Sequence, residues 1–296
     1  MRNFQSKLLL LFVGAFLAFS CDKDDDFEGD YKDFFSVEDF DKVRISTNAK
    51  LILFEEDEDD SHEIKVTANA YLHDLLELKV SDNTLHIHGK DYIKPSDSLV
   101  IYLPTDDDLT IVVEADAQVL LEQENGDWLD DLALLTQGDS RLTASGLQVE
   151  DIETTLKGSS QVWLSSLIRT EEKEFLILEE DDVEVVYENA LILDDSQLLI
   201  GQSIVNVENG LKIIGPVKIY HLTDEFSSKN SGDTRLYSFD LPTDDIKIIN
   251  EGSAEAEVSP VKQLKVTGSG ASVLHYNLQP DLDLDLSGSA VVEPAK

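Results

Sequence analysis

The feature that most constrains this chain is a pair of short strands around a small or acidic turn, returning about every 20 residues. Leu109 to Val113 is followed by Ala115 to Val119, Leu132 to Thr136 by Gly138 to Leu142, and Ile152 to Leu156 by Gly158 to Val162. The pattern returns at Leu191 to Leu193 with Asp195 to Leu198, and at Ile246 to Ile249 with Gly252 to Ala256. It closes with Leu264 to Val266 before Gly268 to Val273, and Leu282 to Leu284 before Ser287 to Val291. A unit this short has no room for a strand and a helix, and helical apolar spacing is almost absent. It suits one turn of a parallel β-helix, in which each coil stacks its alternate apolar residues on the next. Gly, Ser, Asn and Asp at the corners supply the tight or left-handed backbone that each bend needs.

The period is not strict. It shortens around Asp182 and lengthens between Leu211 and Ile246, and Asp224 to Asp240 carries so little apolar alternation that it is expected to be a loop thrown out from the stack. In the last unit, Leu282, Leu284 and Leu286 are expected to face inward and Asp281, Asp283 and Asp285 to face solvent. An antiparallel barrel or sandwich is the competing architecture. It calls for Asn-Gly hairpin turns between most strands, and only Asn125-Gly126 and Asn209-Gly210 supply one. Ahead of the repeat, strands are expected over Lys42 to Ser46, Leu51 to Phe54, Glu63 to Thr67, Thr84 to His88 and Leu99 to Leu103, with a short helix within Ala70 to Leu76.

The start of the chain carries an address. Residues 1–20 hold Arg2 and Lys7, no acid, and an apolar run from Leu8 to Phe19, the basic-then-apolar order of a secretory signal. That run is too short to span a bilayer comfortably. Cys21, the only cysteine, follows Leu17-Ala18-Phe19-Ser20, which resembles a bacterial lipobox. A lone thiol cannot form an internal disulfide, whereas acylation at Cys21 gives it a purpose as a membrane anchor. Asp22, Lys23, Asp24, Asp25 and Asp26 resemble the signal that sends some lipoproteins to the outer face of the outer membrane. The expected organisation is a signal peptide over 1–20, an acidic tether over 21–35 and a single β-helix domain over 36–296. Within that domain, 36–105 forms opening coils and cap, and 106–296 the repeat coils.

Acids number 61 against 23 Lys plus Arg, for a formal charge of -38. Such a field excludes phosphate-backbone binding, and nucleic acid with it, while keeping an exposed protein soluble. It also offers oxygen ligands to calcium, so weak calcium binding is the one metal interaction expected and no resident cofactor is implied.

Over most of its length after about residue 36 the chain resembles the GIN-domain family of auto-transporter adhesin heads. Phe40 to Ser46, Lys65 to Leu72 and Leu85 to Gly89 match that family's opening, and Leu99 to Pro104 matches the strand and proline before its repeats. Thr267 to Gly270 and Ser287 to Ala290 are similar to its Ser-Gly corners, although Glu179 to Asp182 and Asp194-Asp195 put acids where the family has Gly-Ser-Gly. The resemblance implies a right-handed parallel β-helix in the cell envelope and no established catalysis.

Candidate chemistry is sparse. His86 and His88 share a face of one strand, as zinc ligands would, but His62 and His73 have no reason to converge on them, and two solvent-facing histidines are the simpler reading. Asp281, Asp283 and Asp285 begin like an EF-hand loop, which then needs Gly and Glu where Leu286 and Val292 stand. The acid runs Glu55 to Asp60 and Asp106 to Asp108 are expected to be solvated turns. Gly268 and Gly270 lack a third glycine and a following helix, and no Gly-x-Ser-x-Gly elbow occurs. Trp128 and Trp163 could stack on sugar rings or fill a corner. The expectation is a non-catalytic surface lipoprotein acting in adhesion, binding or display, with a glycan or protein ligand. A carbohydrate-active enzyme on the same scaffold, or a scaffold facing the periplasm, is the alternative.

Overall fold

The computed structural model describes residues 31–295, apart from 56–62, 106–107, 125–128, 167 and several short stretches between 172 and 216. The sequence expectations for residues 1–30, His62, Trp128, Asn125-Gly126, Glu179 to Asp182 and Asp194-Asp195 lie outside the described residues.

Alternation of apolar and polar residues produces two parallel ladders that share one interior. The first ladder stacks Thr84–Gly89, Lys42–Ile45, Asp108–Val113, Leu129–Thr136, Val149–Gly158 and Thr223–Gly232 in that order. It continues through the second half of Arg235–Gly252, the second half of Glu255–Gly268, and Asp281–Leu286. The second ladder stacks Val100–Thr105, Ala49–Glu55, Gln118–Gln123, Arg141–Leu147 and Gln161–Ser166. The first halves of the two long strands, then Val273–Tyr276 and Val291–Pro294, complete it. Each coil therefore gives one strand to each ladder, and the two long strands pass through a corner from one to the other. Register partners set the coil length: Asp108 pairs with Asp131 and Asp131 with Asp151, steps of 23 and 20 residues. Later steps are 20 from Glu225 to Asp245, then 18 to Gln263 and 18 to Asp281.

Inward positions form columns. Leu109, Leu132, Ile152, Phe226, Ile246 and Leu264 make one, each no more than 4% exposed. The corner after the first ladder is a second column, of left-handed residues: Ala115, Gly138, Gly158, Gly232, Gly252, Gly270 and Gly288 all have positive φ. At each corner the next residue's N–H donates to the carbonyl of the rung before, as Asp233 N does to Gly158 O at 2.9 Å. A Cβ on Gly232 would lie 2.7 Å from that same oxygen, so glycine is required by space as well as by φ.

The structure corrects the sequence expectations in four places. Asp224 to Asp240 is not a loop. Thr223–Gly232 and the start of Arg235–Gly252 are rungs of the stack. Their inward residues Ser228 and Asn230 are polar, and a hydrogen-bonded chain satisfies them. Thr154 Oγ1 donates to Ser228 Oγ at 2.6 Å, Ser228 Oγ to Asn230 Oδ1 at 2.9 Å, and Asn230 Nδ2 to Asn250 Oδ1 at 2.7 Å. A buried polar column of this kind leaves no apolar alternation in the sequence.

Leu191 to Leu198, in turn, is not a coil. Ala190–Leu193 pairs antiparallel with Gln197–Ile200, inside a five-stranded sheet that leaves the stack, beside a three-stranded antiparallel sheet. Ser203–Val207 pairs antiparallel with Gly210–Ile214 there, and Asn209 lies outside the described residues. The excursion joins Gln161–Ser166 to Thr223–Gly232, which stacks directly on Val149–Gly158.

The third correction concerns the last rung. Leu282 and Leu284 align with buried Leu264 and Val266 as expected, yet Leu282, Leu284 and Leu286 are 45%, 41% and 39% exposed. Among the described residues no further coil covers them.

The opposite end is closed. Leu76–Ser81 pairs antiparallel with Thr84–Gly89, and Glu63–Ala68 pairs antiparallel with both Val100–Thr105 and Tyr31–Ser36. Residues 31–35, assigned from the sequence to the acidic tether, thus belong to a strand. Helix Ala70–Leu75 lies within the expected Ala70 to Leu76 and buries Leu72. Stacking order departs from chain order here, because the coil from Lys42 to Glu55 sits between the coil from Thr84 to Thr105 and the coil from Asp108 to Gln123.

Candidate functional site

The outer faces of the two ladders differ in chemistry. Four consecutive coils enter the first ladder through a pair of acids: Asp130 and Asp131, Glu150 and Asp151, Asp224 and Glu225, Asp244 and Asp245. Register stacks Asp108, Asp131, Asp151, Glu225 and Asp245 in one column. Like charges at one strand spacing repel, and Asp224 is the chief cause that raises the Glu150 carboxyl above its ordinary value. Partial burial raises Asp244, and its 2.7 Å ion pair with Lys262 opposes the shift.

The second ladder carries the concave surface. Its outward column runs Val100, Lys50, Leu120, Thr143, Trp163 and Tyr237, one residue per rung. Trp163 and Tyr237 stack with ring centroids 5.2 Å apart and planes 18° from parallel. A groove of about 690 Å³ runs from Val100 to Trp163. Gln118 and Arg141 flank it on one side, and Pro95, Asp97 and Ser98 of the loop before Val100 also line it. Trp163 also lines a second depression of about 380 Å³ with Tyr237, Phe239, Asp240 and Glu257. Burial is the first cause that raises the Glu257 carboxyl, with Glu255 adding to it.

Two cations point into the main groove, in different states. Lys50 is held by Glu122 at 2.6 Å. Arg141 is exposed and, among the described residues, makes no ion pair. Among the described residues Asp97 is the one carboxylate in the lining. Desolvation is the first cause that raises the Tyr71 phenol, and the charge and hydrogen bond of Asp97 add to it.

The sequence-derived candidates fall as follows. Trp163 is on the outer face and forms the groove wall, whereas Trp128 lies outside the described residues. His86 and His88 flank buried Leu85 and Ile87, and His88 Nδ1 sits 3.0 Å from Ser46 Oγ. His73 is 3.3 Å from an Asp33 oxygen, on another element. Among the described residues no group of three or more His, Cys, Asp or Glu is placed to hold a metal. Asp281, Asp283 and Asp285 lie on an exposed edge strand, where Asp283 pairs with Lys265 at 2.9 Å. Cys21 and Asp22 to Asp26 lie outside the described residues. Sequence reasoning missed Tyr237, Arg141 and Thr143 as partners of Trp163. The signal was the coil period: Trp163 falls 20 residues after Thr143, and both follow a corner glycine by five.

Residues 39–175 match the family described as "Putative auto-transporter adhesin, head GIN domain". That match falls where the sequence resemblance implied it, and the groove lies within the matched segment except for Tyr237 and its neighbours. The crystal structure of a "putative adhesin" from Bacteroides fragilis is similar over 90% of this chain and 98% of its own, at 13% identity and TM-score 0.58. A "putative adhesin" from Parabacteroides merdae covers 91% of this chain and 98% of its own, at 11% identity and TM-score 0.53. A "putative lipid binding protein" from Parabacteroides distasonis covers 91% and 98%, at 13% identity and TM-score 0.52. At these identities the likeness establishes the fold. No curated protein matches the sequence.

Proposed function

We propose that the chain is an exported lipoprotein, acylated on Cys21 after removal of residues 1–20, whose body binds a ligand at the cell surface without catalysis. Asp22, Lys23, Asp24, Asp25 and Asp26 direct it to the outer face of the outer membrane. Its coils wind as a right-handed parallel β-helix, the hand that parallel crossovers take in nearly all proteins. The observation that carries the binding reading is the contrast between the two outer faces. One is a solvated acidic strip. The other holds a groove walled by Trp163, which Tyr237 stacks on from behind, with a guanidinium that makes no ion pair among the described residues. The groove's lining falls inside the segment that matches an adhesin head.

Support for binding over hydrolysis comes from the lining. Glycoside hydrolysis ordinarily needs two carboxylates flanking the bond. Among the described residues Asp97 is the one carboxylate of the main groove, Asp240 and Glu257 lying in the second depression beyond Trp163. Protease treatment of intact cells beside lysed cells, followed with an antibody, tests the placement. Loss from intact cells is expected, and survival until lysis would overturn the surface reading.

A further inference from the structure

The outward column of the second ladder has a missing rung. Leu120, Thr143 and Trp163 are consecutive register partners, and adjacent strands lie about 4.8 Å apart, so Leu120 and Trp163 are separated by roughly 9–10 Å. On the rung beyond Trp163 a ring fills the position, and Tyr237 stacks on one face of Trp163 before the column passes to Glu257. On the other side stands Thr143, whose short exposed side chain cannot cover the indole. Contact between stacked carbon atoms needs about 3.5–4.0 Å on each face, so the gap over Thr143 accepts one ring between Trp163 and Leu120. Trp163 thus has one face occupied from within the chain and one open to the groove.

Arg141 precedes Thr143 by two residues on the same strand, so it projects from the same face beside that gap. Whereas Arg44 is paired with Glu114 at 3.4 Å, Arg141 makes no ion pair among the described residues. Its neighbours along the ladder are Gln118 and Gln161, which are neutral. Further out, Arg235 is paired with Glu255 at 3.6 Å and Lys50 with Glu122 at 2.6 Å. The guanidinium presents a planar fork suited to a carboxylate, next to a vacant ring site.

From this we infer that the groove binds an oligosaccharide bearing a single carboxylate, of the uronic or sialic acid class and otherwise neutral, since the charge of -38 that excludes a phosphate backbone repels a polyanionic glycan as well. One pyranose ring seats on the Thr143 rung against Trp163, its carboxylate meets Arg141, and the chain of sugars extends along the rungs toward Lys50 and Val100. A pyranose ring offers Trp163 a face of C–H groups, which the negative face of the indole attracts. The four rung spacings from Val100 to Trp163 span about 19 Å, room for a short oligosaccharide rather than a single sugar. The inference rests on the binding reading above and adds its ligand class.

The test is a glycan array printed with oligosaccharides bearing a single uronic or sialic acid alongside their neutral counterparts, probed with the purified full chain. Three variants are compared with the wild type: Thr143→Tyr, Arg141→Gln and Trp163→Ala. Thr143→Tyr fills the missing rung with a ring that continues the stack, so its melting temperature should equal or exceed that of the wild type while acid-glycan binding falls at least tenfold. Arg141→Gln should lose the preference for acid-bearing over neutral glycans, and Trp163→Ala should lose binding to both. The inference is overturned if no acid-bearing glycan binds better than its neutral counterpart, or if a folded Thr143→Tyr chain binds as the wild type does. Purified protein makes this outcome independent of cell placement. A protein that binds acid glycans but survives shaving of intact cells would sink only the surface reading.

Discussion

Gly232 and Gly146 provide a matched pair that separates backbone conformation from stacking. Both are left-handed, with φ of +89° and +72°. Alanine at either position pays the left-handed penalty of an L-residue, about 1–2 kcal/mol. A smaller loss of chain entropy offsets this by about 0.4–1 kcal/mol. At Gly146 little else happens, because the nearest atom to a new Cβ is Gln123 O at 4.0 Å. At Gly232 the Cβ would stand 2.7 Å from Gly158 O, a backbone atom inside the corner column. The rungs must separate there, at about 1–3 kcal/mol for overpacking. Separation also strains the 2.9 Å bond from Asp233 N to Gly158 O, which adds about 0.5–1.5 kcal/mol. Gly146→Ala should therefore cost about 1 kcal/mol and Gly232→Ala roughly 2–5 kcal/mol. Urea denaturation with a shared slope measures both as shifts in midpoint. Equal midpoints, or a larger loss at Gly146, would refute the claim that stacked corners hold the coils in register.

Further outcomes follow from the interior and the charge. Phe226 is 1% exposed in a rung that the sequence presents as a loop, so Phe226→Ala should cost about 3–5 kcal/mol in the same denaturation experiment, where a loop residue would cost almost nothing. Asn230→Ala removes the partner of both Ser228 and Asn250 and should cost about 1–3 kcal/mol. Replacing Ser228 in that background should then add less than it does alone. Glu150, Asp244 and Glu257 all have carboxyls raised above their ordinary values in the folded chain. The folded state then holds more protons than the unfolded one just above the usual carboxylate range, so stability falls as pH rises through that window. Burial lowers the His221 imidazole, which acts in the opposite sense through the histidine range, so the comparison is made in a His221→Gln background. There, thermal melts should show a higher melting temperature near about pH 5 than at about pH 8, with added salt narrowing the difference. A melting temperature that rises with pH across this range would contradict the reading of the acidic strip.

The fold was legible wherever inward residues are apolar and corners keep glycine. Leu132 and Leu134, Ile152 and Leu156, and Leu264 and Val266 announce their coils by alternation, and Gly138, Gly158 and Gly252 announce the corners. Alternation fails where the interior turns polar. Ser228 and Asn230 are 4% and 0% exposed, yet in the sequence they look like solvent-facing residues. The corner alone would have recovered that rung, since Gly232-Asp233-Thr234-Arg235-Leu236 repeats Gly138-Asp139-Ser140-Arg141-Leu142 with one hydroxyl residue exchanged. Leu191 to Leu198 misleads for a different reason. Apolar runs mark a strand but carry no record of whether its neighbour runs parallel or antiparallel, and these pair antiparallel outside the stack. The groove was half visible. Trp163 stands out as an exposed-face aromatic, but its value depends on what occupies adjacent rungs, and that follows only from register. Thr143 carries no motif of its own, and its importance lies in being small between Leu120 and Trp163.

Binding at the cell surface through the second ladder is tested most directly by adhesion of living cells. Cells displaying the wild-type chain and cells displaying Thr143→Tyr at equal surface density would be washed over surfaces coated with an acid-bearing glycan. Retention of the wild-type cells and release of the variant cells is the expected result. Equal retention of both, or retention of neither, would contradict the assignment of that groove as the binding surface.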